Sequence, residues 1–203
     1  MSDLESRIRR LEDLEEIRGL AVRYGFAVDE RDLDGVCALF TEDAELRTMS
    51  GPGKGKGVAA IAAYFGGRFA ALGPTNHFTH GHVVDFGDED PDVATGLVSS
   101  HAEVWRDGAP MITALRYHDR YRRGPDGWRF SERVQAYMYF VDVREYPQAL
   151  GDRLRMRAGD PWKKADWLGR SVTGWRAARG PPPQDRASQR MVCSSSFGCL
   201  RST

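Results

Sequence analysis

The chain holds little cysteine: Cys37, Cys193 and Cys199 are all it has in 203 residues. One lies in a helical pattern and two near the C-terminus, which makes no disulfide framework, so a reducing cytoplasm is the expected compartment. It has no excess of either charge. The 29 basic and 29 acidic side chains leave no general field to draw in nucleic acid or an anionic membrane surface. No run of about twenty apolar residues occurs, so no transmembrane helix is expected. The first twenty residues are charged throughout and lack the apolar stretch of a secretory signal. No internal repeat is visible. With 41% hydrophobic and 29% charged residues, the composition is that of an ordinary soluble domain.

What is present is a change of period along the chain. Leu4, Ile8, Leu11, Leu14, Ile17, Leu20, Ala21, Tyr24 and Val28 recur at steps of three and four, which predicts helix over 4–29. The stripe shifts between Asp13 and Ile17, so a short leading helix is expected to hand over to a second one there. A short helix follows at 33–40 and a strand at 44–49. Residues 51–57 are glycine-rich and read as a surface loop, because they lack Walker A spacing and no buried strand leads into them. Residues 58–72 make a third helix, stopped by Gly73-Pro74. Beyond it the period is two, with strands over 78–86, 94–106, 110–123 and 128–143 joined by short polar turns. Helices first and strands after define an α+β chain with an antiparallel sheet and exclude a βαβ layout. Residues 146–167 read as weakly helical or irregular. Residues 169–203, with Gly180-Pro181-Pro182-Pro183 and scattered arginines, read as a disordered tail. The folded domain is therefore placed at 1–168.

Three groups of residues carry chemistry. Tyr24 and Asp29 close the long helix, five residues apart, and share a face only if the helix loosens at its end. Asp29 alone reads first as a solvated helix-end carboxylate. His77, His80 and His82 make three of the chain's five histidines. On a regular strand His80 and His82 share one face and His77 takes the other. That split, with no cysteine nearby, speaks against a metal site. On the last strand Ser131, Arg133, Gln135 and Tyr137 form a continuous polar stripe, and periodicity alone leaves open whether it lines a pocket or meets water. Arg120, Arg122 and Arg123 read as a solvated strand edge rather than a nucleic-acid face.

These pieces resemble the SnoaL-like branch of the nuclear transport factor 2-like superfamily. The resemblance spans residues 8–145 and rests on Ile17-Arg18-Gly19-Leu20 with Tyr24 and Asp29, Asp43-Ala44-Glu45-Leu46, the His77 strand start, Tyr117-His118-Asp119-Arg120-Tyr121 and Asp126-Gly127-Trp128-Arg129-Phe130. It implies a cone-shaped curved antiparallel sheet packed against N-terminal helices, with a pocket inside. The chain looks most like hexachlorocyclohexane dehydrochlorinase, bile-acid 7α-dehydratase and scytalone dehydratase. By that resemblance His77 is a general base oriented by Asp29, Tyr24 donates a hydrogen bond, and Arg133 stabilises negative charge. Tyr137, Tyr117, Ser100 and Leu46 are expected to contact substrate.

The implied activity is a cofactor-independent dehydratase, isomerase or cyclase acting on a hydrophobic, polycyclic or polyketide-like small molecule. The alternatives are a non-catalytic binding or accessory protein of the same fold, and an epoxide-hydrolase-type enzyme using Arg133 with Asp29 and Asp119. Trp105, Tyr139 and Phe140 look exposed on the sheet, so a homodimer or homotrimer is expected. No metal, nucleic acid or membrane partner is expected.

Overall fold

The structure is a computed structural model, and it describes residues 3–87, 90–159 and 161–166. The expected tail at 169–203 lies outside the described residues. In chain order the elements are helix α1 (Asp3–Asp29), helix α2 (Leu33–Ala38), strands β1 (Phe40–Thr48) and β2 (Gly53–Lys56), helix α3 (Val58–Ala71), strands β3 (Thr75–Phe86), β4 (Val93–Arg106), β5 (Ala109–Gly124) and β6 (Gly127–Asp142), a 3-10 turn (Val143–Glu145) and helix α4 (Tyr146–Ala149). The six strands form one curved, unclosed sheet in the order β2-β1-β6-β5-β4-β3. It is antiparallel except at one place, where β1 lies parallel to β6. No helix among the described residues is long and apolar enough to cross a membrane.

The long helix is continuous, and the expected hand-over near Asp13 does not occur. Its buried face runs Asp13, Ile17, Leu20, Ala21, Tyr24, Gly25 and Val28, so the apparent shift in the stripe is one acidic residue occupying a core position. The reason is a polar anchor. Arg123 donates to both Asp13 oxygens at 2.5 and 2.6 Å, and the Trp128 indole N–H donates at 3.0 Å. Charge-assisted paired bonds of this kind offset the cost of burying a carboxylate. Arg123 is thus no solvated edge residue.

The inner face of the sheet closes on α1 and α3. Ile17, Leu20, Leu46, Ile61, Phe65 and Phe130 are almost wholly enclosed, and each contributes about 1.5–3 kcal/mol from apolar burial.

Bulges set which side chains reach that inner face. Between Arg120/Tyr121 and their partners the register jumps from Glu132 to Phe130, which leaves Ser131 as the extra residue. A bulge switches the parity of a strand. Hence Phe130 and Arg133 are both fully buried, although simple alternation puts them on opposite faces. A second bulge, between Thr79 and His82 on β3, does the same for the histidines. The reading that His80 and His82 share a face is therefore corrected: His82 turns inward to Tyr121, and His80 meets His101 at 2.8 Å on the exposed side.

Two further expectations change. Residues 53–56 form an edge strand paired with β1 rather than a surface loop. Tyr139 and Phe140 are buried, under Tyr146 and the returning segment at 155–157, while Trp105 is exposed. That segment hydrogen-bonds to both the N–H and the carbonyl of Phe140. A local alternation pattern carries no signal that a later segment returns to cover these rings.

Candidate active site

Asp29 is the last residue of α1, and the chain turns sharply just after it. Arg31 has a φ of 60°, a left-handed conformation that a non-glycine residue holds only where contacts enforce it. Its guanidinium supplies them, donating to the carbonyls of Val28 and Gly73 and to the Thr75 Oγ at 3.2 Å. Arg31 thereby ties the end of α1 to the start of β3. Sequence reading missed it, and a lone arginine in a polar turn offers no signal.

Across this junction the Asp29 carboxylate collects three hydrogen bonds. The Thr75 hydroxyl donates at 2.8 Å, the His77 backbone N–H at 2.7 Å, and the His77 ring meets it through Nδ1 at 2.6 Å. Burial raises the Asp29 pKa, but the His77 ring and backbone bonds outweigh that and hold it below the usual carboxylate value. A charged carboxylate at Nδ1 favours the tautomer with its proton there and leaves Nε2 as the basic nitrogen. Gly25 permits the approach, since a Cβ at that position would stand 3.3 Å from the His77 Cβ.

His77 lines a cavity of about 20 Å³ with Tyr24, Tyr64, Arg68, Tyr117, Gln135 and Tyr137. That is room for about one water molecule. The structure thus brings together His77, Tyr24, Tyr117 and Tyr137 of the expected set, with Asp29 behind the histidine. Burial pushes the Tyr24 hydroxyl up to about 12, against the lowering field of Arg133, so it is a hydrogen-bond donor at any ordinary pH. Gln135 donates to it at 3.5 Å.

Three expected residues lie outside the cavity wall. Leu46 is enclosed in the core. Ser100 is buried and donates to the Phe78 carbonyl at 2.8 Å. Arg133 is fully enclosed behind the rings, with its guanidinium 3.8 Å from the Tyr117 ring centre and 4.2 Å from that of Tyr24. It pairs with Asp119 at 3.2 Å, and Tyr121 donates to the same carboxylate oxygen at 3.0 Å. Burial lifts Asp119 to about 6, opposed chiefly by Arg133. His82 closes this deeper network on the Tyr121 hydroxyl at 3.0 Å, and burial together with Arg133 pulls it down to about 4. Asp29 and Asp119 do not flank Arg133. Among the described residues no group of three or more metal-ligating side chains converges.

The sequence reading also missed Lys54 and Arg68. Lys54 sits in the segment taken for a surface loop, yet its ammonium donates to the Gln135 side-chain oxygen and stands 3.5 Å from the Tyr137 hydroxyl. A larger hollow of about 580 Å³ lies on the other face of the sheet among Val83, Leu97, His118 and Val134, and neither His77 nor Asp29 reaches it.

Residues 9–134 match the model of the SnoaL-like domain family. The chain belongs to that family. Among solved structures, an NTF2-like protein with a cystatin-like fold from Novosphingobium aromaticivorans is 32% identical, with a TM-score of 0.56, over 73% of this chain and 94% of that one. A type 3 hexachlorocyclohexane dehydrochlorinase from Novosphingobium barchaimii LL02 is 20% identical, with a TM-score of 0.59, over 70% and 94%. A protein provisionally assigned as a scytalone dehydratase, from Novosphingobium aromaticivorans DSM 12444, is 20% identical, with a TM-score of 0.61, over 66% and 89%. The last two likenesses speak to the fold alone. A search of curated proteins finds no significant match.

Proposed function

We propose that this chain is a lyase- or isomerase-type enzyme in which His77 removes a proton from carbon and Asp29 orients it. The observation that carries the reading is the 2.6 Å contact between Asp29 and His77 Nδ1, on a residue that also lines a small cavity. A base so held needs no reorganisation when the proton moves. In the reaction Nε2 takes a proton from a C–H made acidic by a neighbouring carbonyl. The electron pair left behind then expels a hydroxyl beside it, which leaves as water with the proton returned by Nε2, or relocates a double bond with that proton redelivered at the far carbon. Tyr24 donates to the departing hydroxyl or to the enolate oxygen. Arg133, set behind the Tyr24 ring, favours the developing negative charge through its field. The substrate is a hydrophobic, polycyclic or polyketide-like molecule, and rim residues move aside to admit it. The outer sheet face, with Val83, Leu97 and Trp105 exposed, is where a homodimer or homotrimer would pair.

The test is turnover of a panel of β-hydroxy ketones and enones by wild type and by His77→Ala, with thermal melting as the check on folding. Wild-type turnover that the variant loses supports the reading. Equal turnover removes His77 from the mechanism. One observation favours a second reading, a non-catalytic binding or accessory protein: the cavity holds no more than about one water. Binding without turnover by wild type, unchanged in His77→Ala, would select it. The epoxide-hydrolase alternative needs an arginine between two carboxylates, and Asp29 is committed to His77 and Thr75 instead.

A further inference from the structure

We propose that Lys54 and Arg68 form an anion-binding site at the rim of the His77 cavity, and that the compound taken there carries a carboxylate. The proposal rests on the proton-transfer reading above and names the substrate class for that same cavity.

Lys54 reaches the rim because β2 runs tight against the start of α3. A Cβ at Gly55 would stand 2.8 Å from the Ile61 backbone nitrogen, and Gly57 turns the chain into α3 with a φ of 83°. The Lys54 ammonium then lies over the rings of Tyr64 and Tyr137, at 5.2 and 5.6 Å, and its hydrogen-bond acceptors are Gln135 and Tyr137, both in the cavity wall. Arg68 comes from α3. With Tyr64 it lines both the inner cavity and an adjoining open hollow of about 360 Å³.

Two partly buried cations thus stand together at the rim, Arg68 in its lining and Lys54 against two of the wall residues, Gln135 and Tyr137. Among the described residues neither forms an ion pair, and the Arg68 guanidinium makes no hydrogen bond. They also repel each other: burial first and Arg68 second pull the Lys54 amine down to about 7, while Asp166 acts weakly the other way. Uncompensated charge in a partly buried place destabilises a fold unless a ligand answers it. A carboxylate matches the pair. It accepts from a guanidinium fork and an ammonium at once and cancels the repulsion between them. The three aromatic and amide neighbours, Tyr64, Gln135 and Tyr137, supply no negative charge of their own.

The experiment uses the full chain and two pairs of probes: benzoate against benzamide, and 2-naphthoate against 2-naphthamide, by titration calorimetry at pH 6.5. We expect the carboxylate of at least one pair to bind about tenfold or more tightly than its amide. Lys54→Met and Arg68→Met, each with a native melting transition, should each erase most of that preference. The preference should also weaken as pH rises through Lys54's titration, with Arg68, Asp166, Tyr64 and Tyr137 as the groups facing it. If the variants do not fold, protection of Lys54 from trinitrobenzenesulfonate by 2-naphthoate in wild type replaces them. Equal binding of acid and amide, no binding of either acid, an unchanged preference in both variants, or no protection of Lys54 would each overturn the proposal. His77→Ala keeps the anion site, so a retained preference with no turnover of any acid sinks the catalytic reading alone. Turnover of neutral compounds without carboxylate preference sinks the anion site alone.

Discussion

Gly25 on α1 and His77 on β3 pass so closely that a methyl group on Gly25 would lie 3.3 Å from the His77 Cβ. Helix and strand would have to part by a few tenths of an ångström to admit it. Small displacements of a catalytic group cost rate steeply. Gly25→Ala should therefore lower kcat by about tenfold on any substrate the protein turns over, with KM and the melting temperature little changed. Full activity in that variant would show that this spacing does not set the geometry of the base.

Replacing Asp29 by Asn keeps the shape and removes the charge. The asparagine can present either its oxygen or its amide to Nδ1, so the tautomer is no longer fixed. Loss of about 10²- to 10⁴-fold in kcat is expected. A pH signature accompanies it. The Asp29 pKa is depressed in the folded state, so its contribution to stability is present above the unfolded value, about 4, and lost as pH falls through the folded one. The stability gap between wild type and Asp29→Asn, measured in urea, should be open at pH 7 and narrower at pH 3.

The Asp13 anchor sits far from the cavity in function. Asp13→Ala leaves Arg123 without its paired acceptor and the Trp128 indole N–H without a partner. A loss of about 2–4 kcal/mol in urea unfolding is expected, with activity per folded molecule unchanged. A loss below about 0.5 kcal/mol would mean that water replaces the aspartate at no cost.

Arg133→Met is expected to behave differently at two pH values. Asp119 is already raised to about 6, and Arg133 is the largest influence holding it down. Without the arginine its folded pKa climbs further above the unfolded one. A carboxyl raised on folding binds more protons in the native state, so stability falls as pH rises from the unfolded pKa through the folded one. Wild type completes that decline near pH 6, whereas the variant continues to lose stability above it. Arg133→Met should thus cost more at pH 8 than at pH 5, and Asp119→Asn in the same chain should remove the difference.

The long helix, the third helix and the four long strands were legible because each carries its own period. So was the pairing of Asp29 with His77, though only through resemblance; spacing alone left Asp29 a plausible surface carboxylate. What could not be read depends on contacts across the chain. Asp13 looked like a break in the stripe because its partners, Arg123 and Trp128, are more than a hundred residues away. Lys54 reads as part of a surface loop because glycine marks both turns and tight packing, and only the nearness of Ile61 tells the two apart. His80 and His82 were assigned to one face because a bulge leaves no mark in the alternation around it.

The bulge at Ser131 has a consequence for how this wall could change over time. Beyond it on β6, Arg133, Gln135 and Tyr137 face inward because one residue too many precedes them. Deleting Ser131 would restore plain alternation and keep Arg133, Gln135 and Tyr137 inward; closing the bulge with every residue kept would instead turn Glu132, Val134 and Ala136 toward the interior. Not one side chain would need to mutate. The character of the cavity is written partly in the register of one strand, so a slip of one residue there offers evolution a route to a new interior that no series of point substitutions would retrace.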